Sequence, residues 1–291
     1  MSKSSSTDSE GYILNAIQTP GPMKPVYRSI RSGNKTKARI KSDCGIDSSL
    51  DASLSGLQLL RLIGREDGEY YTTPYKWDLE SEDLAFRMTA LHNLAQECTE
   101  GDWGKQAVVL LDYHYLLDRD IQYFVNNDES LYDTDEDDNL EDWFNMINYS
   151  PQSQQGRITH NKQKLANWTR IAHFLGLVNK ICGREHTVYP DPEMILTSIE
   201  LSIDDIGKEI DNKPAIEISD YLTWLRENLL YVKTTGDGKI PKGFSRVLFE
   251  LIRDGYIEYR EYGDTGAVGL DGVPPYDGID REANTITVPN K

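Results

Sequence analysis

The feature that most constrains this chain is a pattern that occurs three times along it. Each copy has a polar or basic start, an amphipathic helix of about four turns, a short step bearing glycine, and then aromatic or β-branched residues. The copies are IDSSLDASLSGLQLLRLIGREDGEYYTT at 46–73, HNKQKLANWTRIAHFLGLVNKICGREHTVYP at 160–190 and PKGFSRVLFELIRDGYIEYREY at 241–262. The third copy has a candidate return strand, NTITVP, at 284–289. Leu62-Ile63, Leu177-Val178 and Tyr256-Ile257 set the register, because there each predicted helix gives way to a predicted strand. Missing an internal repeat would miscall the whole fold. At 291 residues the chain has room for two or three small domains or one large one.

The first copy shows what the unit contains. Tyr12 to Ile17 starts a short apolar helix, and the prolines of TPGP at 19–22 stop it. Lys35–Asp43 predicts a second helix with Ala38 and Ile40 inward and its lysines outward. Cys44-Gly45-Ile46 predicts a tight turn in which Gly45 supplies a positive φ. Asp47 or Ser48 can cap the next helix through a side-chain oxygen. On that helix Leu50, Leu54, Leu57 and either Leu60 or Arg61 form one buried stripe. Arg65-Glu66-Asp67-Gly68-Glu69 then has hairpin chemistry.

Helix, helix, turn, helix and β-hairpin, in that order, resembles the winged helix-turn-helix superfamily. The resemblance rests on the Gly45 turn, the Leu50/Leu54/Leu57 helix and the IGREDGEYYTT hairpin. The second unit is similar: Trp143–Ile147 begins a helix, Leu165, Trp168, Ile171 and Leu175 form a stripe, and CGREHT is the wing tip. The third is looser, with Phe244, Val247, Leu248 and Leu251 on its helix and a long loop, 263–283, as its wing. The fold class this implies is mainly α with small β-hairpins, as tandem winged-helix modules joined by a helical spacer. The expected layout is a disordered leader at 1–10, module one at 11–75, a helical spacer ending in an acidic loop at 76–140, module two at 141–195 and module three at 203–291. Within the spacer, Leu84–Gln96 and Val108–Phe124 have helical apolar spacing, and Tyr113, Tyr115, Tyr123 and Phe124 read as packing rather than a base-stacking platform.

Charge is strongly segregated. The formal total is −17, yet 11–42 carries seven bases and no acid, and 143–184 carries six bases and no acid. Between them, 128–142 holds nine acids and no base, and 203–291 has 17 acids to 11 bases. Winged-helix proteins often place the third helix in the major groove and the wing on the backbone. The resemblance therefore implies double-stranded DNA as partner. In module one Ser48, Ser49, Ser53 and Gln58 would face DNA, Lys35, Lys37, Arg39 and Lys41 would lie near phosphates, and Arg65 would sit on the wing. In module two Asn161, Lys162, Lys164, Asn167 and Arg170 would line the exposed side of the helix, with Arg184 and His186 in the wing. Asn suits adenine, and Arg or Lys suits guanine. The expected role is a non-catalytic DNA-binding protein, either a transcriptional regulator or the recognition component of a larger system. The alternative is an acidic adaptor, like the winged-helix subunits that clasp chromosome-condensing complexes, docking a protein through module three or the acidic loop 128–142.

Other classes find little support. No phosphate loop, dinucleotide fingerprint, nucleophile elbow or zinc-protease helix is present, so no catalytic residue, cofactor or metal site is expected. Asp112-Tyr113-His114 is not a ligand set, because neighbours on a helix point different ways. Three separated cysteines predict neither a disulfide framework nor a metal site, which makes a reducing cytoplasm the default. The longest apolar run, Ala107–Leu111, is far short of the ~20 residues that span a bilayer. MSKSSSTDSE lacks the apolar stretch of a secretory signal. Aspartate outnumbers glutamate 28 to 20, a lean toward a salt-adapted host.

Overall fold

A computed structural model describes residues 11–126, 131, 139–153, 156–262, 266–276 and 279–289. The expected leader, and all of the acidic run before Asn139 except Leu131, lie outside them. Unit one comprises α1 (Ile13–Ala16), α2 (Met23–Arg31), α3 (Lys37–Cys44), α4 (Leu50–Leu59), β1 (Ile63–Glu66) and β2 (Glu69–Thr72). Pro20 and Pro22 separate α1 from α2, as a missing N–H and a fixed φ require. Helix α3 ends at Gly45, whose φ of +65° lets its N–H return to Lys41 O. Helix α4 buries Leu50, Leu54 and Leu57 as its spacing predicts, and it also buries Ser53. Asp67 and Gly68 both take positive φ, the two-residue turn whose twist matches the paired strands. Tyr70 N donates to Lys35 O at 2.8 Å, so Lys35, two residues ahead of α3, lies beside β2, although the sheet itself holds only β1 and β2.

The region expected to be a spacer is more than that. It holds α5 (Glu82–Ala95), the short pair β3 (Cys98–Thr99) and β4 (Asp102–Trp103), α6 (Val108–Asp118) and β5 (Tyr123–Val125). Ser81 caps α5 by accepting from Leu84 N at 3.3 Å. The apolar sequence of α6 fits a helix whose residues 108–117 are all buried. Unit two continues with α7 (Leu140–Met146), β6 (Gln152–Ser153), β7 (Gly156–Arg157), α8 (Lys162–Leu175), β8 (Asn179–Cys182) and β9 (Glu185–Thr187). Strand β5 joins β9 and β8 in one antiparallel sheet. The expected boundary at 141 is therefore corrected: the second unit takes its first helix and first strand from α6 and β5. Trp168 on α8 fixes this by donating its indole N–H to Val109 O at 3.0 Å.

Unit three contains α9 (Pro192–Ile206), β10 (Lys208–Ile210), β11 (Lys213–Glu217), α10 (Ile218–Asn228), β12 (Lys239–Ile240), α11 (Lys242–Arg253), β13 (Glu258–Arg260), β14 (Val268–Leu270), β15 (Glu282–Ala283) and β16 (Thr285–Thr287). Starting it at 203 would cut α9, which packs on α10, α11 and β11. The return strand is β16, and the sheet runs β10-β11-β16-β13. Units two and three thus share one order: the strand before the second helix pairs with the last strand, which pairs with the strand after the third helix. In unit one the Lys35–Tyr70 bond occupies the equivalent place.

The units are not separate beads. One contiguous set of buried apolar side chains extends from Tyr12 to Val288. Small helices and two-residue strands cannot each enclose a core, so the units bury their faces against one another. A fragment of residues 141–195 should therefore give no cooperative thermal transition by circular dichroism, because it lacks α6 and β5. A sharp, reversible transition in that fragment would refute the corrected boundary.

Candidate nucleic-acid interface

The proposed contact residues of unit one do come together at the surface. Lys35, Lys37, Arg39, Lys41, Ser48 and Arg65 are exposed, Ser49 is half-buried, and all lie on or beside α3, α4 and the β1–β2 hairpin. Ser53 is an exception: it is buried, and its hydroxyl donates to Ser49 O at 2.8 Å. Along α4 the exposed positions are Asp51, Ala52, Ser55 and Gln58.

Charge on this face is balanced, however. Lys37 pairs with Asp51, Lys41 with Asp47 at 2.7 Å, and Lys35 lies 3.6 Å from Glu69. Arg39 makes no ion pair among the described residues. The exposed bases Lys35, Lys37, Arg39, Lys41 and Arg65 face the exposed acids Asp43, Asp47, Asp51, Glu66, Asp67 and Glu69. Exposed pairs of this kind contribute about 0–1 kcal/mol each, so they matter less for stability than for the potential they cancel. The wing, with one arginine among three acids, would repel a phosphate backbone.

Unit two departs further from expectation. The side of α8 expected to face DNA is packed against α1. Asn167 is buried: its amide donates to Leu14 O at 2.7 Å, and its oxygen accepts from Gln163 at 3.0 Å and Arg170 at 2.9 Å. Arg170 Nη1 also donates to Gln18 O at 3.3 Å. Lys164 bonds Thr159 O and sits 6.0 Å from the Tyr12 ring centroid, and desolvation holds its pKa below the usual lysine range. Asn161 is the helix cap, accepting from Lys164 N at 3.0 Å. Lys162 remains exposed at the helix start, and Arg184 is exposed on the wing turn, while His186 is buried. The expectation of one outward reading face on α8 is corrected: the α1 contact buries Asn167 and half-buries Lys164, while Asn161, Lys162 and Arg170 stay exposed on either side of it in sequence.

Helix α11 is enclosed in the same way. Gly243 approaches Leu117 and Val188 closely, and a Cβ there would lie 3.0 Å from Leu117 Cδ2 and Val188 O. Arg246 Nη2 donates to Tyr123 OH at 2.9 Å, and Lys242 pairs with Asp120. Of the three helices in the reading position, α4 keeps Asp51, Ala52, Ser55 and Gln58 exposed along one face, whereas α8 is exposed at Lys162, Gln163, Arg170 and His173 but buried between them at Asn167.

The buried polar groups behave as structure. Asp112 Oδ2 and His160 Nε2 lie 3.0 Å apart, and both side chains are at most 3% exposed, so no substrate reaches them. Burial raises the Asp112 pKa against the opposing pull of His160. As neighbours on α6 should, Asp112, Tyr113 and His114 diverge: His114 packs edge-on to Trp143 and Tyr231. Among the described residues no three His, Cys, Asp or Glu side chains cluster to hold a metal, and no helix is long and apolar enough to cross a membrane. No family model, curated protein or solved structure matches the chain. What sequence reasoning missed was the inter-unit packing of α8 and α11.

Two outcomes follow from these burials. Asn167→Ala strands Leu14 O and should lower the unfolding free energy by about 1–3 kcal/mol, whereas Ser55→Ala on α4 should leave it within about 0.5 kcal/mol; equal effects in denaturant titrations would contradict the assignment. Burial pushes the His114 pKa down to about 4, while an unfolded histidine titrates near 6.5. The unfolded chain then binds the extra proton, so stability falls as pH drops from about 6.5 to about 4, by up to about 3 kcal/mol. His114→Phe should flatten that part of the stability–pH profile, and an unchanged profile would show that His114 does not govern it.

Proposed function

We propose that the chain is a non-catalytic docking subunit built from three winged-helix units, presenting α4 of unit one to a protein partner within a larger assembly. The strand order shared by units two and three, with its rudiment at Lys35 and Tyr70, supports the winged-helix reading. One observation carries the choice of partner. The outer face of α4 is open but carries no excess positive charge, and a duplex binder needs such an excess to displace counterions from phosphates. The small, uncharged Ala52 and Ser55 at the middle of that face allow another backbone to approach closely. Tandem winged-helix adaptors in chromosome-condensing complexes are the nearest functional analogy, at the level of fold alone.

Duplex DNA is the second reading, favoured by Arg39, which lacks a carboxylate partner among the described residues, and by Lys35 beside it. A titration of labelled duplex at low and at physiological salt separates the two. The docking reading expects weak binding at both, and a co-purifying protein that Ala52→Arg releases without shifting the thermal midpoint. Tight low-salt binding that collapses as salt rises, and that is lost in the Lys35/Lys37/Arg39/Lys41→Ala variant, would establish the DNA reading instead.

A further inference from the structure

A groove of about 850 Å³ runs between the loop after α1, the start of α2, and helices α5 and α8. Its lining differs in charge from the rest of this acidic molecule. Lys24, Arg87 and Arg170 reach it from three different helices, together with His173, and Asp83 is the one carboxylate among its lining residues. Lys24 pairs with Asp83 and lies 5.0 Å from the Phe174 ring centroid. Arg87 is committed to Asp191 through Nη1 at 2.6 Å, and its buried Nε is 3.0 Å from Asp83 Oδ2 without the alignment of a hydrogen bond.

Arg170 is different. Its two bonds, to Gln18 O and Asn167 Oδ1, both leave from Nη1 and both end on neutral oxygens. A guanidinium has five N–H donors, so most of its donor capacity and all of its charge are unmatched by any carboxylate among the described residues. His173 Nδ1 is 3.2 Å from Val178 O, which leaves Nε2 as the ring nitrogen without that partner. Pro20 and Phe174 supply an apolar floor beside these groups. A phosphate group offers three oxygens: two can accept from Arg170 and Lys24, and the third, carrying a proton, can donate to His173 Nε2, which accepts because Nδ1 donates to Val178 O; a carboxylate has two.

We propose that this groove binds a small organic phosphate monoester, with the phosphate on Arg170, Lys24 and His173 and the organic group against Pro20 and Phe174. Because the groove joins unit one to α8, its occupant bridges two units. The site stands apart from the reading of α4, and either can fail without the other. The probe is phenyl phosphate, titrated calorimetrically into the full chain, with inorganic phosphate and benzoate as comparisons. Saturable binding of phenyl phosphate is expected, at least tenfold tighter than either comparison. Arg170→Gln should weaken it at least tenfold with the circular dichroism spectrum intact, and Phe174→Leu should weaken phenyl phosphate but not inorganic phosphate. If Arg170→Gln does not fold, Lys24→Gln carries the same expectation. No saturable binding, an unchanged affinity in the charge variant, or benzoate or inorganic phosphate binding as well as phenyl phosphate would each overturn the proposal.

Discussion

The arrangement depends on how a four-residue helix is held. A helix as short as α1 has no stability of its own, because its nucleation cost is never recovered by propagation. Its backbone is instead satisfied by side chains from distant parts of the chain. Gln106 accepts from Ile13 N at 2.9 Å and donates to Gly11 O at 2.8 Å; Asn167 donates to Leu14 O, and Arg170 donates to Gln18 O. Three polar side chains from outside unit one, Gln106, Asn167 and Arg170, thus fix the segment 11–18. Ile13, Leu14 and Ile17 meanwhile fill the apolar space beneath it.

Pairing across the fold also accounts for the charge pattern of the first basic run. The basic run 11–42 contains no acid because its counter-charges come from elsewhere in the sequence. Lys24 meets Asp83, Arg28 and Arg31 meet Glu82, and Lys35, Lys37 and Lys41 meet Glu69, Asp51 and Asp47. In the second run Arg157 reaches Glu141 at 3.2 Å. In the first run, segregation along the chain becomes mixing in space, and the potential expected from the sequence is largely cancelled; in the second, Arg170 keeps a charge that no carboxylate among the described residues matches. Each exposed pair adds little stability, so the main consequence is electrostatic.

Much of the local structure was legible from residues, although Ala38, expected inward, is exposed and α4 starts from Ser49 without the side-chain cap expected of Asp47 or Ser48; assembly was not legible. The Gly45 turn, the stripes Leu50/Leu54/Leu57 and Leu165/Trp168/Ile171/Leu175, the hairpins and the return strand at 285–287 all obey short-range rules of φ, spacing and turn chemistry, and all are present. The boundaries at 141 and 203 were misplaced because strand pairing is non-local. Nothing in YFV at 123–125 announces that it will pair with β9, more than fifty residues later. The contact residues of α8 were misread for a related reason. Asn167 and Lys164 have polar side chains, and periodicity assigns polar positions to solvent, whereas here the amide is consumed by a backbone carbonyl inside the protein. One clue was present in principle: an α8 whose polar stripe is interrupted by Ala166 and Thr169.

The same helix α1 that closes α8 leaves α4 open, and the difference lies in which side it touches. Gly56 sits on the inner side of α4, where a Cβ would come within 2.8 Å of Ile17 Cγ1 and 3.1 Å of Met23 Sδ. With glycine there, the end of α1 and the start of α2 lie directly against the helix backbone from behind. Asp51, Ala52, Ser55 and Gln58 stay in solvent on the opposite side. On α8 the contact falls instead on Asn167 and Arg170, the positions a reading helix would need free. Repetition of one unit therefore does not repeat its exposed surface: α1 buries the middle of α8 at Asn167, neighbouring units enclose most of α11, and α4 keeps Asp51, Ala52, Ser55 and Gln58 in solvent.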